Sequence, residues 1–154
     1  MMHTPPRIVL LLAVTLGFVG CGSATALAAA PPRLLSNDND GRTFRVRPAT
    51  IVLGMAARIT GPNVTLRDIR RGRHGHIRWS RWSRSEASGR GRAWISRAVR
   101  PYPAAIRAWR VRDGRYTRLW WSYTVGRRRH QSWENLIRDP FRRGRWTWRV
   151  TRFT

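Results

Sequence analysis

The chain has 154 residues, enough for one domain with its own core and too few for two. Thirty-one basic residues face seven acidic ones, a formal charge of +24, and every basic residue is arginine. High-GC codon usage accounts for the missing lysine but not for the shortage of Asp and Glu, so the charge requires either a partner or a tolerance. A single cysteine, Cys21, excludes an internal disulfide and leaves stabilisation to a packed core.

Residues 1–7 form a short n-region carrying Arg7, and residues 8–19 (IVLLLAVTLGFV) are an apolar run of h-region length, short for a bilayer span. Small residues follow as GCGSATALAAAPP, and Ala26-Leu27-Ala28 directs cleavage to the bond between Ala28 and Ala29. No arginine pair precedes the apolar run, so Sec-type export is expected, with residues 1–28 as signal peptide and a secreted or envelope-associated product. A competing signal is the lipobox-like FVGC at 18–21, with Phe where Leu is usual. Lipidation of Cys21 would hang the domain from a membrane, whereas ordinary cleavage, which the Phe favours, discards Cys21. Loss of Arg7 with the signal leaves thirty arginines against seven acids, a net charge of +23.

Residues 29–43 (AAPPRLLSNDNDGRT) are small, polar and turn-rich, and predict a flexible leader, with a single β domain over residues 44–154. Phe44 and Val46, then Ile51 and Leu53 beyond Pro48, predict two short strands. Gly61-Pro62-Asn63 predicts a turn, and residues 67–75 (RDIRRGRHG) a basic loop. All nine tryptophans lie at or after Trp79. In RWSRWSR at 78–84 the indoles are three apart, a spacing that points to opposite faces of a strand. Trp79 and Trp82 therefore share a face only across a bulge; without one, one of them is exposed. Gly89-Arg90-Gly91 predicts a turn and residues 93–99 another strand.

The clearest element is a hairpin over residues 105–125. A two-residue Asp113-Gly114 loop would set Trp109 opposite Arg118 and Arg107 opposite Trp120, mixing the faces. A three-residue loop, Arg112-Asp113-Gly114, sets Trp109 opposite Thr117 and Arg107 opposite Leu119. The second register is expected. It places Trp109, Val111, Thr117, Leu119, Trp121, Tyr123 and Val125 on one face and Arg110, Arg112, Tyr116, Arg118 and Trp120 on the other. Residues 126–129 predict a basic turn, and residues 132–139 (SWENLIRD) one or two helical turns stopped by Pro140. Trp146, Trp148 and Val150 alternate as a closing strand. The sum is an all-β domain, a small antiparallel sandwich or partly open barrel. Five or six buried indoles, each hiding about 150–250 Å², would hold it.

The stretches RPATIVL (47–53), GHIRWSRWSRSEASGRGRAW (75–94) and YPAAIRAWRVRDGRYTRLWWSY (102–123) span about half the chain. They resemble a family of small exported proteins from high-GC Gram-positive bacteria. The pattern W-x-x-W followed by A-x-G-x-G-x-x-W falls on Trp79, Trp82, Ala87, Gly89, Gly91 and Trp94. The resemblance implies a secreted β fold and no mechanism, because the family has no established activity. Its members tend to carry a cysteine pair between the Trp94 strand and the Tyr102-Pro103 step; here residues 96–101 (SRAVRP) contain neither.

Catalytic constellations are sparse. There is no Gly-x-Ser-x-Gly elbow and no cysteine nucleophile after ordinary cleavage. Asp38 and Asp40 fall in the leader and Asp113 in a turn. Glu86 and Glu134 could converge as a glycosidase pair, but a glutamate among many arginines is expected as an ion-pair partner with a lowered pKa, the opposite of what a general acid needs. His74 and His76 lack a third ligand and lie beside cation-repelling Arg70, Arg71 and Arg73. No enzyme, metal or cofactor is expected. Binding is: guanidinium forks suit anions, and indole plates stack on sugars or bases. Export takes the chain away from nucleic acid, so the expected partner is an anionic cell-wall polymer or an acidic lipid surface. The residues expected to meet it are Arg70, Arg71 and Arg73 in the loop and Arg110, Arg112, Arg118 and Trp120 on the hairpin. Two alternatives stand beside this: a purely structural or vestigial secreted domain, and a carbohydrate-binding module working through an exposed tryptophan.

Overall fold

The computed structural model describes residues 29–36, 41–54, 57–95 and 100–154. The expected signal with Cys21 and Ala28, the acids Asp38 and Asp40, and residues 96–99 lie outside the described residues. Ten strands and one short helix follow in order: β1 (Leu34–Leu35), β2 (Phe44–Arg45), β3 (Ile51–Val52), β4 (Arg58–Thr60), α1 (Leu66–Arg70), β5 (Arg78–Trp82), β6 (Glu86–Trp94), β7 (Tyr102–Arg112), β8 (Arg115–Val125), β9 (Arg128–Arg138) and β10 (Trp146–Phe153). Eight of them make one antiparallel sheet ordered β10-β9-β8-β7-β6-β4-β3, with β5 sharing the free edge of β6 with β4. β1 and β2 form a separate two-stranded sheet. The fold is all-β, and the large sheet curls into a half-barrel.

The inside of the curl is filled by pairing small residues with large ones. Ala104, Ile106 and Ala108 on β7 sit opposite Tyr123, Trp121 and Leu119 on β8, and all six are buried. Alanine on one strand makes room for a large side chain on the next, so the layer interdigitates. Ile51, Leu53, Ile59, Leu136 and Trp148 complete the core. The two ends of the sheet meet at Gly54, after β3, whose N–H donates to Glu134 Oε2 on β9 at 3.0 Å. A Cβ on Gly54 would stand 2.2 Å from the carbonyl oxygen of Trp148 on β10. Only a residue without a side chain lets the ends approach this closely.

Several local expectations are corrected. Leu34 and Leu35 of the expected leader are 0% and 5% exposed. Arg33 bridges to Arg115, its N–H donating to Gly114 O at 2.8 Å and its carbonyl accepting from Tyr116 N at 3.0 Å. Structure thus begins before Phe44, because two leucines in a polar stretch are enough to dock on an apolar barrel mouth. The basic loop contains α1, capped reciprocally by Thr65 and Asp68. Gly89 and Gly91 are not a turn but lie within β6, where neighbours press on them. A Cβ on Gly91 would meet Thr60 O at 2.1 Å. Gly91→Ala is therefore expected to lower stability by about 1–3 kcal/mol or more, read by urea unfolding; an unchanged midpoint would mean that β4 does not lie against β6 there.

Trp79 and Trp82 share one side. The register of β5 on β6 slips between Trp79 and Arg81, and the two rings meet edge to face at 4.8 Å. Neither is left in solvent: Trp79 Nε1 donates to Pro48 O and Trp82 Nε1 to Pro32 O, each at 3.0 Å. Residues 132–139 are not helical. Ser132, Glu134 and Leu136 point inward and are buried, the alternation of strand β9.

The hairpin takes the two-residue loop. Trp109 pairs with Arg118, Arg107 with Trp120 and Arg112 with Arg115. Asp113 and Gly114 have φ of 49° and 67°, so both central residues are left-handed, the primed turn that matches strand twist. The face assignment changes with the register: Leu119, Trp121 and Tyr123 do point inward, but Trp109 is outside and Tyr116 is fully buried. The ladder is interrupted between Arg110 and Thr117, with Arg110 at φ 58° and the Thr117 hydroxyl donating to its carbonyl. Across that break Tyr116 turns in to close the barrel mouth, where it stacks edge-on against Trp82 and donates its hydroxyl to Ser83 O.

Candidate anion-binding face

The outer face of β7–β10 brings arginines and indoles together. Cross-strand pairing sets Arg107, Trp120, Trp133 and Arg152 side by side in one row, and Trp109, Arg118, Asn135 and Arg149 in the next. Adjacent strands lie about 4.8 Å apart, so each row runs roughly 14 Å across the sheet. Trp109, Trp120 and Trp133 are each half-buried. A groove of about 270 Å³ is lined by Arg107, Trp109, Trp120 and Trp133. A second of about 280 Å³, beside it, shares Trp109 and Trp133 and adds Arg118, Glu134, Asn135, Thr151 and Arg152.

Each indole has a guanidinium over or beside it. Arg107 lies 6.0 Å from the Trp109 ring, Arg129 5.4 Å from Trp120 and Arg152 5.1 Å from Trp133. These are cation–π distances, and they hold flexible side chains near the plates. Further bonds fix the positions: Trp120 Nε1 donates to Gln131 Oε1 at 3.2 Å, Arg129 to Ser122 Oγ at 3.3 Å, and Arg118 to Asn135 Oδ1. Glu86, on the neighbouring strand β6, is ion-paired here: Arg107 Nη2 reaches its Oε2 at 2.7 Å. That is the ion-pair role expected for it.

Glu134 departs from expectation. It points into the barrel, 1% exposed, and so lies on the opposite side of the sheet from Glu86; the two do not converge. Oε1 accepts from Trp121 Nε1 at 2.7 Å and from Ser132 Oγ at 3.3 Å, and Oε2 from Gly54 N. Burial pushes its pKa up against the lowering pull of these three donors. The abundance of arginine in the sequence suggested the reverse. Local placement, not composition, decides the shift.

The expected sites divide. Arg118 and Trp120 belong to the outer face. Arg110 and Arg112 are exposed at the hairpin end, beyond the break in the ladder. Arg70, Arg71 and Arg73 are exposed on α1 and the turn after it, between β4 and β5. Arg73 and Arg71 face Asp68, whose carboxyl is held below its usual range first by its bonds to Thr65 and then by these two charges, so that cluster is partly compensated. His74 is half-buried, and desolvation and Arg58 both lower its pKa. Among the described residues no group of three His, Cys, Asp or Glu could hold a metal ion. Sequence reasoning missed Arg107, Trp109, Arg129, Trp133 and Arg152 as partners of one face. The rejected hairpin register contained the signal, since it aligned Arg107 with Trp120.

The remaining indoles are structural. Trp94 Nε1 donates to Thr60 Oγ1 at 3.0 Å, and Trp146 is enclosed by Phe44, Arg115 and Arg138. No helix among the described residues is long and apolar enough to cross a membrane. No family model, curated protein or solved structure matches the chain.

Proposed function

We propose that this chain is an exported, non-catalytic domain that is held on the cell envelope by capturing anionic polymer. The observation that carries the reading is the charge balance together with where the acids go. The thirty guanidiniums left after the signal cannot be neutralised by seven carboxylates. Glu134 is spent inside the barrel, Asp68 on a helix cap and Asp139 on the N–H groups of Phe141 and Arg142. The surface therefore has to find its counter-charge elsewhere. The signal-like residues 1–28 direct that search to the envelope, where phosphate- and carboxylate-bearing polymers are the abundant anions, and away from nucleic acid.

Capture by charge releases counterions, so retention must fall steeply with salt. Washing cell-wall material that carries the protein through rising NaCl at constant pH is expected to elute it sharply. Retention unchanged across the salt range, or recovery of the full-length chain in the cytosol, would contradict the proposal.

A further inference from the structure

The outer face does more than attract charge. We infer that the Trp109–Trp120–Trp133 platform is a binding site for a linear polyuronate, a polysaccharide whose sugar rings themselves bear carboxylates. The inference rests on the proposal of anionic-polymer capture and names the ligand of its most structured surface.

Three features select this class. First, the plates are neighbours: Trp120 and Trp133 are direct cross-strand partners, and Trp109 is one row away on the next strand. Such an arrangement offers successive flat apolar surfaces to a chain of rings, which a polyphosphate or a glycerol-phosphate chain would leave uncovered. Second, the charges sit over the plates themselves, so a ring that stacks there meets a guanidinium directly. Arg129 and Arg152 stand 5.4 and 5.1 Å from the ring centres of Trp120 and Trp133. A carboxylate attached to the stacked ring falls within their reach, and a guanidinium grips a carboxylate through two parallel N–H bonds. Third, the polar rim is preset. Asn135 and Gln131 already hold Arg118 and Trp120 in place, so less side-chain freedom is lost on binding. The surplus of positive charge on these rows, with Glu86 tied to Arg107, makes the face complementary to a polyanion.

The experiment compares the protein, purified as it accumulates in its producing cell, with Trp120→Ala, Trp133→Ala and the exposed-charge variant Arg152→Gln. Binding is measured by calorimetry to polygalacturonate, inorganic polyphosphate and oligo(dT) at two salt concentrations. The expected result is a loss of about tenfold or more in polygalacturonate affinity per indole removed, with polyphosphate affinity nearly unchanged. Arg152→Gln should weaken both polymers and lower the salt slope. Thermal melts identify any variant that fails to fold, and Trp133→Tyr, which keeps an aromatic plate, should recover most of the polygalacturonate binding. If polyphosphate and polygalacturonate bind equally and neither indole matters, the stacking site is wrong while charge capture stands. If no polyanion binds at moderate salt, both readings fall. Indole-dependent binding that is stronger to oligo(dT) than to polygalacturonate would overturn the polyuronate assignment in favour of nucleic acid.

Discussion

Replacing Trp121 with alanine is expected to cost about 3–5 kcal/mol of unfolding free energy. The indole is 1% exposed, faces Ile106 across the β7–β8 ladder and stacks on Tyr123 at 5.3 Å. Its removal opens a cavity in the layer that fills the half-barrel. It also takes from the Glu134 carboxylate its shortest hydrogen bond, 2.7 Å from Trp121 Nε1. A domain of this size has only about 5–15 kcal/mol in total, and among its described residues no disulfide supplements the core. The variant should therefore unfold near growth temperature, and urea unfolding followed by circular dichroism measures the change. Trp120→Ala serves as the contrast: its ring is half-exposed on the other face, and its loss should cost far less. Equal losses at the two neighbouring positions would mean that β8 is not oriented as described.

Glu134→Leu carries the second large effect. The carboxylate accepts from Trp121 Nε1, Ser132 Oγ and Gly54 N, and leucine would leave two buried donors and the part-buried N–H of Gly54 without this acceptor. Each unsatisfied donor costs about 1–3 kcal/mol, offset in part by relief of a buried charge. The bond to Gly54 also ties the β3 end of the sheet to β9, so its loss should loosen the closure, seen as faster amide exchange around Gly54. Glu134→Gln keeps an acceptor for Trp121 and Ser132 but turns an amide donor toward Gly54, and should fall between wild type and Glu134→Leu.

The same residue sets a pH dependence. Burial raises the folded pKa of Glu134 above its unfolded value, so the folded state holds this proton more tightly. The stability it contributes is complete below the unfolded pKa and is lost as pH rises through the folded one. The melting temperature should therefore drop over that interval in the wild type, and Glu134→Gln should remove that component of the slope. A slope of opposite sign that vanishes in Glu134→Gln would place an arginine beside the carboxylate.

Much of the architecture was legible because strand alternation and turn chemistry are local. The β10 pattern of Trp146, Trp148 and Val150 and the break at Pro48 could be read directly, whereas the two-residue Asp113-Gly114 turn was set aside for a three-residue loop. The hairpin register could not, because the reading required one apolar and one polar face. Here both faces of β8 carry indoles, Trp121 inward and Trp120 outward, and the second set is half-buried by arginine stems. Residues 132–139 suggested one or two helical turns stopped by Pro140. The inward side is instead Ser132, Glu134 and Leu136, polar residues satisfied only by distant partners such as Gly54. The leader was misjudged for the same reason: Leu34 and Leu35 gain their burial from strands far along the chain. Arg118 and Trp120 were placed on the outer face from the hairpin alone. Trp133 and Arg152 join them only through the β8–β9 and β9–β10 pairings, which no single stretch of sequence reveals.

The nine indole N–H resonances provide the most direct test of where this protein meets an anionic polymer. During titration with polygalacturonate, the signals of Trp109, Trp120 and Trp133 are expected to shift together. Those of Trp79, Trp82 and Trp94, bonded to Pro48, Pro32 and Thr60, should stay fixed. Binding that moves the second set and leaves the first in place would contradict the account.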